Sequence, residues 1–203
     1  MVKNGLRSEY ERQQAVIRAF VGVRLSPDVA QKVAEVQSRL KRSLKGIRWV
    51  DQENFHFTLK FLGAVKEEDV SPIMNALEHA LRSISSFAVV SRGIGVFPDI
   101  RRPRVLWVGL EGERLTALAL AVEQGLEAFG FDREKRDFKP HLTFGRWRNF
   151  AGPAELLKEE LMRYKDYHFG ESQIKEVVFF RSVVKSEGAV YSPLGVVTLS
   201  QSS

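Results

Sequence analysis

A strand–helix–strand unit occurs twice in this chain, the second copy following the first at an offset of 85 residues with no gap. In the first copy an apolar strand ends near Leu25, a helix follows, and His56 stands 31 positions on. In the second, Leu110 closes a strand and His141 again stands 31 positions beyond it. The tetrapeptide His56-Phe57-Thr58-Leu59 therefore falls on His141-Leu142-Thr143-Phe144. A chain that duplicates a unit in this way folds into two similar lobes. The two motifs then face each other across a cleft.

The remaining pattern mixes strands and helices. Residues 16–25 are β-branched and aromatic-rich, which reads as a strand. Ser26-Pro27-Asp28 supplies an N-cap and a proline for the first helical position, and Val29, Val33, Val36, Leu40 and Leu44 follow at helical spacing as far as Gly46. Further strands are expected over 47–50, 55–62, 87–96, 104–110, 141–147, 167–175, 177–185 and 191–199. Helices are expected over 67–81, 115–129 and 153–162. The order lacks the strict alternation of a doubly wound sheet, so the fold class is α+β.

Length and composition narrow the chemistry. A chain of 203 residues buries roughly 70% of its unfolded surface and needs no staple. It has no cysteine, which excludes disulfides, thiolate metal sites and cysteine nucleophiles. No stretch is apolar enough to span a membrane. The first 14 residues carry Lys3, Arg7, Glu9, Glu11 and Arg12 and lack the apolar core of a secretory signal. Residues 1–15 are therefore read as a polar extension, residues 16–203 as a single domain, and the protein as cytoplasmic and monomeric.

On a strand, side chains at i and i+2 share a face. His56 and Thr58 project together with Lys60 continuing their row, while Phe57, Leu59 and Phe61 face the core. His141 and Thr143 likewise share a face opposite Leu142 and Phe144. The chain holds four histidines and four threonines, and these motifs use two of each; His79 in mid-helix and His168 on a late strand read as structural. Paired imidazoles suit general acid–base catalysis, since near neutral pH one ring can accept a proton while the other donates one. Cleavage of a phosphodiester is the matching chemistry, the threonine hydroxyls bonding the non-bridging oxygens. Neither motif contains a carboxylate and no HExxH pattern exists, so no metal is expected. Gly93-Ile94-Gly95 lacks the third glycine of a dinucleotide fingerprint, and there is no P-loop lysine motif; no cofactor is expected.

The segments HFTLKFLG and HLTFGR resemble the paired HxTx signatures of the 2H phosphoesterase superfamily. Within it the chain is most similar to the RNA 2′,3′-cyclic phosphodiesterases, also called 2′-5′ RNA ligases. RAFVGVRL at 18–25, GVFP at 95–98, PRVLWVGL at 103–110 and KPHLTFGR at 139–146 extend the resemblance over residues 16–199. It implies a bilobal fold, each lobe an antiparallel sheet with helices outside, and an active-site cleft between them. It also implies opening of RNA 2′,3′-cyclic phosphates to 2′-phosphomonoesters, with reversible 2′-5′ ligation of tRNA halves. His56 would be the general acid, His141 the general base, and Thr58 and Thr143 phosphate ligands. The repeat itself leaves the acid and base roles interchangeable.

Lys60, Arg146 and Phe97 are the further substrate-binding candidates. Lys60 has the strand parity of His56. Arg146 lies an odd number of positions from His141 and needs a bulge at Gly145 to be re-aimed. Phe97 and Trp49 could stack a terminal base. Arg101, Arg102 and Arg104, with Lys135, Arg136, Lys139 and the net charge of +6, favour a polyanionic partner, RNA ending in a 2′,3′-cyclic phosphate such as a tRNA fragment. Two other readings stay open: a phosphodiesterase for another 2′,5′-linked or cyclic nucleotide, and a non-catalytic RNA-end-binding protein.

Overall fold

The computed structural model describes residues 15–134, 136–185 and 188–201. The polar extension read over 1–15 thus lies, apart from Ala15, outside the described residues, as does Lys135. In chain order the elements are β1 (Val16–Val23), α1 (Pro27–Ser43), β2 (Ile47–Trp49), β3 (Phe57–Lys66), α2 (Val70–Leu81), β4 (Phe87–Phe97), β5 (Val105–Glu111), α3 (Leu115–Leu126), β6 (His141–Trp147), α4 (Ala154–Arg163), β7 (His168–Ile174), β8 (Glu176–Val184) and β9 (Ala189–Thr198). The first helix starts as its sequence dictates: the Val29 amide donates to Ser26 Oγ and Pro27 occupies the first turn.

The fold is α+β, and the two antiparallel sheets are halves of one curled sheet. Its strand order is β7-β4-β5-β6-β3-β1-β8-β9, with β2 added to β6. The halves meet where β3 pairs antiparallel with β6 at Phe57 and Leu142. Joining there covers two strand edges that separate sheets would leave with unpaired backbone groups.

The repeat is visible in the strand register. In the first half Phe20 pairs with Phe61, Val21 with Lys60, Gly22 with Thr58 and Val23 with Phe57. In the second Val105 pairs with Arg146, Leu106 with Gly145, Trp107 with Thr143 and Val108 with Leu142. Adding 85 to every number of the first set gives the second. The bulge recurs too, skipping Leu59 in β3 and Phe144 in β6.

The helices lie outside the sheet as expected, but the two connecting helices cross over between the halves. α1 leaves β1 but lies on the other half: a Cβ on Gly170 of β7 would stand 3.1 Å from Val29, and Gln37 Nε2 donates to the Phe144 carbonyl at 3.1 Å. α3 leaves β5 and lies under β3, where Lys60 meets Glu123. The connecting helices are thus exchanged between halves. Val29, Val33, Val36 and Leu40 on α1, and Leu115, Leu118, Val122 and Leu126 on α3, are fully buried, each contributing about 1.5–3 kcal/mol of apolar transfer. These helices cover one face of the sheet, and the other carries a small separate cluster of Phe20, Val178 and Phe180 with Tyr191 against it.

Candidate active site

The two bulges decide which side chains share the open face. A bulge puts two successive residues on one side and inverts the alternation beyond them. Leu59 and Lys60 both turn inward, so the single row expected for His56, Thr58 and Lys60 breaks. Lys60 is only 7% exposed, and its ammonium donates to Glu123 at 2.9 Å and to the Asp132 carbonyl at 2.8 Å. Lys60 is therefore a tie between β3 and the loop after α3, not a neighbour of the histidines. Phe61, expected in the core, is instead 70% exposed. The equivalent bulge in β6 has the opposite benefit: Phe144 is buried and Arg146 emerges on the face of His141 and Thr143. The re-aiming anticipated at Gly145 occurs, and the repeat makes Phe61 and Arg146 counterparts.

Phe57 and Leu142, paired across the halves, are 1% and 0% exposed. Their flanking residues point the other way. The antiparallel register centred on them sets His56 toward Thr143 and Thr58 toward His141.

Both rings are held alike. The short turn Gln52–Asn54 brings the Asn54 carbonyl to His56 Nδ1 at 2.7 Å, and the Lys139 carbonyl lies 2.7 Å from His141 Nδ1. A carbonyl only accepts, so Nδ1 carries the hydrogen in each ring and Nε2 is the atom left to gain or lose a proton. Each ring also meets an aromatic edge: Tyr191 at 5.0 Å for His56 and Phe97 at 5.0 Å for His141. Phe97 is thus a wall of the His141 side. Trp49 sits elsewhere, 6.2 Å from the ring of Phe144 on the helix-covered face.

The halves differ in what surrounds the rings. Phe20 lies 4.8 Å from His56 and Phe180 5.8 Å, and Arg24 stands 5.2 Å over the ring of Phe180. Gly22 makes room: a Cβ there would be 2.8 Å from the Phe57 carbonyl and 3.4 Å from His56. Burial drives the His56 pKa down to about 4, against the pull of the Asn54 carbonyl, and the charges of Arg146, Arg24 and His141 lower it further. His141 is lowered for the same first reason, burial, with Arg146 adding to it. Burial raises the Tyr191 hydroxyl, and Arg146 opposes that. Arg146 lowers both rings, which the Phe57–Leu142 register sets on the same face. Arg24, Phe20, Phe61, Phe180 and Tyr191 were not picked out from sequence. The 85-residue offset that pairs Phe61 with Arg146 was available; the last hairpin, which brings Phe180 and Tyr191, carries no local signal.

Comparison with known proteins agrees with this geometry. The LigT like phosphoesterase family matches residues 23–107, which include the first motif. The RNA 2′,3′-cyclic phosphodiesterase of Methanocaldococcus jannaschii is 33% identical over 175 residues, 86% of this chain and 96% of its own length. The chain belongs to the LigT-like phosphoesterase family. The RNA 2′,3′-cyclic phosphodiesterase of Methanothermobacter thermautotrophicus is 35% identical over 90% of this chain and 99% of its own. Among solved structures of similar fold, TT0787 of Thermus thermophilus superposes with a TM-score of 0.77 at 27% identity, covering 91% of this chain and 99% of that one. The alignments to these relatives run well beyond residue 107 and cover both halves of the repeat.

No helix among the described residues is long and apolar enough to cross a membrane. No group of three or more His, Asp or Glu among them is placed to hold a metal ion.

Proposed function

We propose that this LigT-like phosphoesterase hydrolyses the 2′,3′-cyclic phosphate at RNA ends to a 2′-phosphomonoester by paired-histidine acid–base catalysis. The observation that carries the reading is the matched pinning of two Nδ1 atoms by backbone carbonyls, which leaves two Nε2 atoms free on one face beside two threonines and Arg146. One neutral Nε2 removes a proton from water as its oxygen bonds to phosphorus. The bond from phosphorus to O3′ breaks, and the other Nε2–H protonates O3′ as it leaves. Thr58, Thr143 and Arg146 hold the non-bridging oxygens, where charge builds up. Family resemblance assigns the acid to His56 and the base to His141.

In the free protein burial holds His56 neutral. An anionic phosphodiester offsets the charge of Arg146 and raises both imidazoles, so the acid takes up its proton as substrate binds. The same steps with an RNA 5′-hydroxyl in place of water form a 2′-5′ linkage, and their reversal cleaves one. The motifs hold no carboxylate, and the mechanism needs no metal. The test is turnover of an oligonucleotide ending in a 2′,3′-cyclic phosphate, with and without EDTA. Turnover that survives chelation, follows a bell-shaped pH profile and is lost in both His56→Ala and His141→Ala is expected. Tight RNA binding without turnover would point to an end-binding protein instead.

A further inference from the structure

β2 has no counterpart in the repeat. Adding 85 to its residues gives 132–134, which form a loop rather than a strand. This unrepeated strand lies along β6 where β3 peels away, and it places Arg48 directly opposite Arg146. Directly paired residues of an antiparallel ladder share a face, and like charges in that position are destabilising. Both guanidiniums are exposed, and among the described residues neither is in an ion pair with a carboxylate. The close approach of β2 requires a residue without a side chain: a Cβ on Gly145 would come within 2.9 Å of Ile47. Beyond Arg146 on the third strand is Val105, preceded by Arg104, whose guanidinium donates to the Arg148 carbonyl. Two arginines thus stand side by side across β2 and β6 on the His141 side, with the uncharged Val105 as the next residue of the row.

We propose that Arg48 grips the phosphate preceding the terminal nucleotide of an RNA strand, beside the reacting phosphate held by Arg146, making the site selective for a polynucleotide end over a mononucleotide. The inference rests on the activity proposed above and adds a second phosphate subsite to it. Each guanidinium supplies the forked donors that suit one phosphate, and two successive phosphates offset the repulsion that the bare pair suffers. Arg146 lies three residues from Thr143, roughly 10 Å of extended strand, so one Arg146 head can face the reacting phosphate while Arg48 reaches outward. The subsite exists on one half only. An RNA strand has only one continuation from its 3′ end, and the broken symmetry gives it one exit.

The experiment compares kcat/KM for a nucleoside 2′,3′-cyclic phosphate with that for a trinucleotide ending in the same group, in wild type and Arg48→Gln. Wild type is expected to favour the trinucleotide at least tenfold, and Arg48→Gln to shrink that ratio about tenfold. The salt slope of trinucleotide binding should fall by about 0.7 for the lost single-strand phosphate contact. Equal handling of both substrates by wild type, or an equal loss on both in the variant, overturns the subsite. If neither substrate turns over, the activity reading fails. The subsite is then decided by affinity alone, a trinucleotide 2′-phosphate against a nucleoside 2′-phosphate: a trinucleotide preference that Arg48→Gln erases supports it, and no preference refutes it.

Discussion

Phe57 of β3 and Leu142 of β6 pair across the junction of the two half-sheets and are each other's counterparts in the 85-residue repeat. A local twofold relation therefore passes between them, and whatever flanks one flanks the other. That is how one residue pair brings two His-x-Thr motifs onto a common face from positions far apart in sequence. Both side chains are buried. Leu142→Ala should cost about 2–5 kcal/mol, as large-to-small core changes do, and should lower turnover as well because the motifs lose their shared anchor. Urea unfolding and a steady-state assay on the same preparation check both halves of the expectation.

The buried imidazole of His56 links stability to pH. Its pKa in the fold is about 4 against 6.5 for the exposed ring, so the unfolded chain takes up the proton first as pH falls. Stability supplied by the neutral ring is complete above the unfolded value, declines between about pH 6.5 and 4, and has gone once the folded ring is charged. The shift corresponds to an upper figure of about 3 kcal/mol. His56→Asn should flatten this part of the profile. Urea midpoints at pH 7, 5.5 and 4 for the two proteins give the comparison, and parallel curves would contradict it.

Lys60 tests the bulge. Its ammonium is spent on Glu123 and the Asp132 carbonyl. Glu123 keeps the Glu134 amide as a donor and is partly open to water, so Lys60→Met should cost about 1–3 kcal/mol rather than the full penalty of a stranded buried charge. The loss appears in the urea midpoint, while kcat stays within about threefold. A hundredfold fall in kcat at unchanged stability would put Lys60 back in the site.

What the sequence made legible was whatever strict periodicity encodes. The helical spacing of Val29 to Leu40, the N-cap at Ser26 and the strand 141–147 all stand in the structure as read. The repeat, seen first in eight residues, proves to extend to the hydrogen-bond register. Alternation failed at Lys60 and Phe61 because a skipped residue at Leu59 leaves no mark in the apolar pattern. The same skip at Phe144 was foreseeable only because a glycine follows it. The exchange of α1 and α3 between halves was hidden for a different reason: an amphipathic helix specifies that it packs, not on which of two similar sheets. Phe180 and Tyr191 reach His56 through tertiary pairing alone.

Phe61 offers the sharpest separation of stability from function. It is 70% exposed, lies opposite Phe20 in the ladder and has its ring 6.2 Å from that of Phe20, which itself touches His56. A large aromatic open to solvent beside the proposed site would present a π-face on which any base can stack, worth about 1–3 kcal/mol by alanine substitution. Under the proposed function its counterpart Arg146 holds the phosphate, so the two halves of one repeat would hold the two ends of one nucleotide. Phe61→Ala should change the unfolding free energy read from urea by less than about 0.5 kcal/mol, as exposed positions do, and raise KM for a cyclic-phosphate substrate about tenfold or more. Phe61→Trp should restore binding because it keeps the stacking face. If the alanine variant loses stability and keeps its KM, the ring is a packing element and the base lies elsewhere.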